Sequence, residues 1–280
     1  MNIYKIKSYA KINLSLNITG KKSNLHQIET VVAFVNLYDE IQIKIINSKK
    51  NNIHFVGEFS KDISKKNTIY RLLEILEKLK ILNNVKFEIK VNKKIPNKAG
   101  LGGGSMNAAS ILKYLIKKNN IKLKRNDIFK ISSKIGSDTI LGLNKSSIIS
   151  NELRIKYAKI KSPLHLIIIK PDFGCSTKDI YSRVKNFSRA KLKLKSNKFL
   201  SLKYLSKLTN DLENPAFQKY PKLKNIKLFV EKLDNVLFTR MSGSGSSIVL
   251  YLATKNNAKK AEKILKKKYK NYWCILSKTI

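Results

Sequence analysis

Four glycines occupy five consecutive positions in GLGGGSMN, residues 100–107. With no side chains to hold the backbone away, Gly100, Gly102, Gly103 and Gly104, together with Leu101 and Ser105, let successive amides close on an anion. A helix starting there would aim its N-terminus at the same point. The chemistry is phosphate binding, and the competing reading is a tight turn whose glycines serve steric needs alone. GxxxxGK[ST] is not matched, because no lysine precedes a hydroxyl residue, and Ser105 stands where GxGxxG needs its last glycine. A second cluster, SGSGS at 242–246, offers Gly243, Ser244 and Gly245 either as a second anion-facing turn or as a plain β-hairpin turn.

Both clusters sit between regular elements. Ile41, Ile43 and Ile45 alternate with Gln42 and Lys44, and Val85, Phe87, Ile89 and Val91 alternate with Lys86, Glu88, Lys90 and Asn92. Each is the period-two pattern of a half-buried strand. Between them Ile69, Leu72, Leu73, Leu76 and Leu79 recur at helical spacing, with Asn67 or Thr68 placed to cap the start. Ala108, Ala109, Leu112, Leu115 and Ile116 mark a further helix, so the first glycine loop joins a strand to a helix. Leu164–Ile169, bounded by prolines, reads as a buried strand opening a second lobe. Strands at 236–238 and 248–252 flank SGSGS, followed by a helix over about 257–269 and a last strand at 273–276. The lysine-rich stretch 185–207 reads as a pair of solvated helices. The fold class is α+β with two lobes, residues 1–158 and 159–280.

Among 58 basic residues only six are arginines, so the net charge of +40 reflects lysines spread over the whole chain. Arginine is the better fork for phosphates and base edges, so solvated lysine faces explain the charge better than a nucleic-acid partner does. The first residues lack the apolar run of a signal peptide, and no eighteen apolar residues run together. The expectation is a cytoplasmic protein without a membrane or nucleic-acid partner, a monomer or homodimer. Cys175 and Cys274 are far apart and form no CxxC pair, so both are read as packing residues.

Three stretches in order, YAKINLSLNITG (9–20), KIPNKAGLGGGSMNAA (94–109) and RMSGSGSSIVL (240–250), resemble the motifs of the GHMP kinases. The opening AKINLSL, His26, NTIYRLL (67–73), GSDTILGL (136–143) and NDLE (210–213) narrow the resemblance to the branch whose substrate carries a cytidyl diphosphate. It implies phosphorylation of a hydroxyl on that small molecule by ATP, with Mg²⁺ accompanying the nucleotide. No dedicated metal cluster is legible, and Ser105 is a candidate Mg²⁺ ligand.

By this resemblance Asp138 is the catalytic aspartate and Lys11 the lysine beside it. From the residues alone, Asp138 could equally cap a helix or sit in a turn. Asn13, two positions beyond Lys11 and so on the same side of a strand, contacts the non-nucleotide end of the substrate. His26 hydrogen-bonds cytosine, for which an imidazole offers one donor and one acceptor, and Tyr181 forms an aromatic wall. The family commonly places an aromatic just before this histidine, where the chain has Leu25. Gly100–Ser105 cradle the phosphates of ATP, with Asn67, Lys98 and Asn107 lining the nucleotide pocket. Gly243, Ser244 and Gly245 meet the substrate's diphosphate or the transferring phosphoryl group. The region behind Asp138, with Thr139, Ile140 and the KSSIISNE run, departs from the family pattern. Another GHMP kinase, of homoserine or mevalonate type, and a basic RNA-binding protein are the alternatives, the latter explaining the charge but not three ordered motifs.

Overall fold

A computed structural model describes residues 2–23, 25–118, 121, 123–143, 148–151, 154–157, 159–160, 162–190, 192 and 199–280. The lobe boundary expected at 158 and several positions of the KSSIISNE run lie outside these residues. The chain forms two compact units, one of Met1–Lys11, Leu37–Asn97 and Gly102–Lys145, the other of Ile12–Asn36, Lys98–Leu101 and Ser146–Ile280. Strands β1 (Tyr4–Lys22) and β2 (Leu25–Ile46) pair with each other and contribute one end to each unit.

The first unit continues with β3 (Asn52–Val56), α1 (Thr68–Lys78), β4 (Lys86–Asn92), α2 (Gly103–Lys118), α3 (Arg125–Ile135) and the short α4 (Thr139–Gly142). β4 runs antiparallel to the end of β2, setting Ile41 opposite Val91, Ile43 opposite Ile89 and Ile45 opposite Phe87. β3 lies parallel on its other edge. The alternation in the sequence therefore becomes one apolar face, on which α1, α2 and α3 bury Leu72, Leu73, Leu76, Ile111, Leu112, Leu115 and Ile131. Asn67 starts α1, its Oδ1 accepting from Ile69 N at 3.0 Å and Tyr70 N at 3.1 Å.

In the second unit β5 (Ile148–Asn151) pairs antiparallel with residues 29–32 of β2, and β6 (Arg154–Tyr157) pairs with β5. Then come β7 (Lys159–Ile160), β8 (His165–Lys170), α5 (Thr177–Ser182), β9 (Phe199–Leu200), α6 (Leu202–Ser206), α7 (Glu213–Lys219), α8 (Pro221–Glu231), β10 (Val236–Met241), β11 (Ile248–Leu252), α9 (Lys255–Lys268) and β12 (Trp273–Lys278). An antiparallel sheet in the order β10-β11-β8-β12 has β8 inside it. That position explains the unbroken apolar run Leu166–Ile169, since a central strand covered on both faces has no polar side to present. α8 and α9 pack their apolar stripes, Leu223, Ile226 and Val230 with Ala258, Ala261 and Leu265, into the same core.

The solvated helix pair expected over 185–207 is not what the described residues form. Residues 185–190 are irregular, and α6 is the only helical piece described there. The reason is an anchoring backbone bond: Ser188 N donates to Ile18 O at 2.8 Å, which ties this segment along β1.

Candidate active site

Within the first unit, Lys11 Nζ lies 3.1 Å from Asp138 Oδ2, with 4% of the lysine side chain and 35% of the aspartate side chain exposed. Asp138 occupies the N-cap position of α4, yet its carboxylate makes no capping hydrogen bond. The helix-cap alternative left open by the sequence is therefore not realised; the carboxylate faces Lys11. Gly102, at φ +70°, belongs to the same arrangement. A Cβ there would come within 2.9 Å of Lys11 Cγ and 3.0 Å of its Cε, so this glycine makes room for the lysine stem.

α2 begins inside the glycine loop, and its opening bond runs from Met106 N to Gly102 O at 2.9 Å. The amides of Gly103, Gly104 and Ser105 thus have no acceptor within the helix, and no acidic side chain stands in its first turn. Those are the requirements of an anion-binding helix terminus. Thr68 Oγ1 donates to Gly104 O at 2.7 Å, fixing the loop to the start of α1. The Ser105 hydroxyl points toward Gly136, where a Cβ would stand 3.2 Å from it.

Beneath this terminus lies a buried ionic hub that the sequence reading missed. Asp39 Oδ1 accepts from Lys94 N at 2.8 Å and Ile95 N at 2.9 Å, and Oδ2 accepts from Asn107 Nδ2 at 2.9 Å and pairs with Lys93 Nζ. A Cβ built on Gly103 would stand 3.2 Å from Lys93 Nζ, which places the hub directly under the first residue of α2. The signal was present: period two from Leu37 through Asp39 to Ile41, and from Val91 to Lys93, assigns both charges to the inward face. Asn107 is buried here with its donor on Asp39, and Asn67 has its amide nitrogen on Ser64 O and Lys65 O while its oxygen caps α1.

In the second unit all three sequence motifs meet. Ser242 Oγ accepts from Asn13 N at 3.2 Å and donates to Gly100 O at 3.0 Å, while Ser247 N donates to Ala99 O at 3.2 Å. A Cβ on Gly100, at φ +74°, would collide with the Ser242 carbonyl oxygen, so backbone packs on backbone at this point. SGSGS does connect the antiparallel pair β10 and β11. Its closure uses two amides, Ser242 N donating to Ser247 O at 2.9 Å and Gly245 N to Ser242 O at 3.0 Å. Thr177 and Ser244 share a hydroxyl contact at 2.9 Å. Asn13 Nδ2 donates to Thr30 Oγ1 at 3.0 Å. Lys98, at φ +50°, packs its stem on Gly174, and its backbone carbonyl accepts from Cys175 N at 3.2 Å.

His26 and Tyr181 lie with ring centroids 5.2 Å apart at 49°. Leu25 is 77% exposed and contributes no wall. A second ring does stand near the imidazole: Phe187 at 6.4 Å and 65°. It escaped the sequence reading because it lies in the lysine-rich stretch taken for solvated helices. Burial, and the Lys21 charge after it, push the His26 imidazole below its ordinary pKa. Cys175 is buried against the turn, its thiol pushed up to about 11 by burial, which leaves it inert. Among the described residues no cluster of His, Cys, Asp and Glu could by itself hold a metal, and no helix is long and apolar enough to cross a membrane.

The chain as a whole is similar to known proteins. The model of the GHMP kinases N-terminal domain matches residues 67–148, and that of the GHMP kinases C-terminal domain matches 193–271. The chain belongs to the GHMP kinases, ATP-dependent kinases of small molecules. It is 56% identical, over 100% of both chains, to the 4-diphosphocytidyl-2-C-methyl-D-erythritol kinase of Pelagibacter ubique strain HTCC1062. The enzyme of that name from Ehrlichia canis strain Jake is 33% identical over 95% of each chain. The fold is shared with a crystal structure of 4-(cytidine 5'-diphospho)-2C-methyl-D-erythritol kinase, at TM-score 0.77, 23% identity and coverage of 99% and 100%. Mevalonate kinase of L. major, solved with R-mevalonate, gives TM-score 0.73 at 14% identity over 99% and 95%.

Proposed function

We propose that the chain transfers the γ-phosphate of ATP to the 2-hydroxyl of 4-diphosphocytidyl-2-C-methyl-D-erythritol, giving the 2-phosphate and ADP in the non-mevalonate route to isoprenoids. Full-length similarity to the relative of that name supports the substrate. The observation that carries the chemistry is the Lys11–Asp138 pair packed on Gly102 of the glycine loop. Asp138 accepts the proton of the acceptor hydroxyl as its oxygen forms a bond to the γ-phosphorus and the bond to the bridging β,γ-oxygen breaks. The Lys11 ammonium orients the carboxylate and offsets charge on the transferring group. The amides of Gly103, Gly104 and Ser105, preceded in the chain by Gly100, Leu101 and Gly102, hold the nucleotide phosphates. Asn67 and Lys98 border the nucleotide, and Asn107 supports the loop through Asp39. When bound with the nucleotide, Mg²⁺ would neutralise phosphate charge, and the Ser105 hydroxyl and an Asp138 oxygen are the side-chain groups that would be offered to an ion taking few protein ligands.

The substrate's erythritol end meets Asn13, its diphosphate meets the turn of Gly243, Ser244 and Gly245, and its cytosine lies against His26, Tyr181 and Phe187. Phe187 supplies the ring that Leu25 does not. Phe187→Ala is expected to weaken acceptor binding by about 1 kcal/mol, the low end for base stacking because the ring is half exposed. A raised acceptor KM with unchanged ATP KM checks this.

His26 gives a pH prediction. Its folded pKa lies below the ordinary value of about 6.5, so the ring is neutral at pH 7 and offers cytosine both a donor and an acceptor. As pH falls through the lowered pKa, imidazolium forms and the acceptor is lost. Acceptor KM therefore rises on the acid side while ATP KM stays flat, and His26→Phe removes that limb. The unfolded chain takes up this proton more readily, so stability also drops as pH falls below about 6.5.

The chain acts in the cytoplasm as a monomer or homodimer and has no nucleic-acid partner. Side-by-side turnover on the cytidyl substrate, homoserine and mevalonate tests the assignment. Activity confined to the first is the expected result, and exclusive turnover of homoserine or mevalonate overturns it.

A further inference from the structure

The motif NDLE, residues 210–213, has no place among the groups assigned to substrate or nucleotide. Its four residues lie between β1 and the glycine turn of the second unit. Asn210 is buried, and its amide nitrogen donates twice, to Met241 O and to Gly243 O, both at 2.8 Å. Its Oδ1 accepts from Leu212 N at 3.0 Å. The two carbonyls it grips flank Ser242, the residue whose hydroxyl joins Asn13 to Gly100. Asp211 fastens the other side: its Oδ2 accepts from Ile18 N at 2.8 Å, and its own amide donates to Leu16 O at 2.8 Å. Glu213 Oε1 accepts from Met241 N at 2.8 Å, holding the strand that enters the turn. Leu212, fully buried, anchors the motif in the core.

A carboxamide is the only common side chain of this size that can donate two hydrogen bonds while accepting a third. At position 210 both donors face carbonyl oxygens, so an isosteric carboxylate would set like partial charges against each other. The pull on Met241 O and Gly243 O fixes the Met241–Ser242 and Gly243–Ser244 peptide planes. The second of these sets where the amide of Ser244 points.

We propose that Asn210 is a positioning residue for phosphoryl transfer: through the Gly243 carbonyl it orients the Ser244 amide of the glycine turn toward the anionic group that this amide stabilises, without touching substrate itself. This rests on the reading of that turn as an anion-facing element. A misaimed donor at a developing charge lowers rate more than it lowers stability.

The test is steady-state kinetics of the full chain with ATP and the cytidyl substrate, for Asn210→Asp, Asn210→Ala, Gly243→Val in the turn, and Leu223→Ala in the core of the same unit. Thermal midpoints are measured alongside. Asn210→Asp is expected to lower kcat about 10²-fold, the effect of losing one preorganised donor, with ATP KM unchanged. Asn210→Ala falls between it and the parent and serves if the aspartate variant does not fold. Leu223→Ala loses thermal midpoint but keeps kcat. If Asn210 variants keep kcat, or lose no more of it than Leu223→Ala does at an equal fall in midpoint, the inference is overturned. If Gly243→Val leaves kcat intact, the turn has no part in transfer and the reading beneath the inference fails. If Gly243→Val lowers kcat and neither Asn210 variant does, the inference alone falls.

Discussion

Asp138→Asn is expected to lower kcat by roughly 10²- to 10⁴-fold, the range for removing a positioned general base, in a chain that stays folded. The substitution keeps the shape of the side chain and removes its charge and its capacity to take a proton. The carboxylate does not cap α4 and is about a third exposed, so little of the fold depends on it. It faces Lys11 at 3.1 Å, and the stem of that lysine runs past Gly102 of the glycine loop. ADP release with the cytidyl acceptor, read beside the thermal midpoint, separates the two effects. Near-parental turnover by a folded Asp138→Asn would remove the aspartate from the chemistry.

The second large effect is on stability. Asp39→Ala leaves Lys93 buried without its carboxylate and removes the acceptor shared by Lys94 N, Ile95 N and Asn107 Nδ2. Breaking a buried pair by deleting one partner costs about 3–5 kcal/mol, a large share of the roughly 5–15 kcal/mol that holds a domain folded. At about 2–4 °C per kcal/mol for a large domain, the thermal midpoint should fall by roughly 6–20 °C. Because the hub sits under Gly103, the ATP KM should rise as well if the proposed phosphate-binding terminus loses its support. An unchanged midpoint would mean that Lys93 finds another partner and that the hub does not brace the loop.

Much of the fold was legible because simple periodicities survive in this sequence. The alternation of Ile41, Ile43 and Ile45 and of Phe87, Ile89 and Val91, and the apolar run of β8, follow from spacing alone, while the start of α1 was left between Asn67 and Thr68 and the structure gives Asn67. What stayed hidden has physical causes. Lysines on nearly every surface mask the one at 93, which is inward and paired. The same excess made 185–207 look like solvated helices, and with it concealed Phe187. Asp138 and Lys11 are remote in the chain, so the residues alone left the aspartate as cap, turn or catalyst; family resemblance was needed to put the two together. The contact of Gly100 with the Ser242 carbonyl is made by backbone, which leaves no side-chain pattern beyond the glycine itself.

The most direct measurement is the ³¹P NMR spectrum of the product formed from ATP and 4-diphosphocytidyl-2-C-methyl-D-erythritol. C2 of the erythritol carries a methyl group and no hydrogen, so a phosphate on its oxygen has no proton on the carbon to couple with. The account predicts equimolar ADP and a new phosphomonoester singlet, with both cytidyl diphosphate resonances retained. A phosphomonoester split by protons on its carbon, or ATP consumption with no new phosphomonoester, would contradict it.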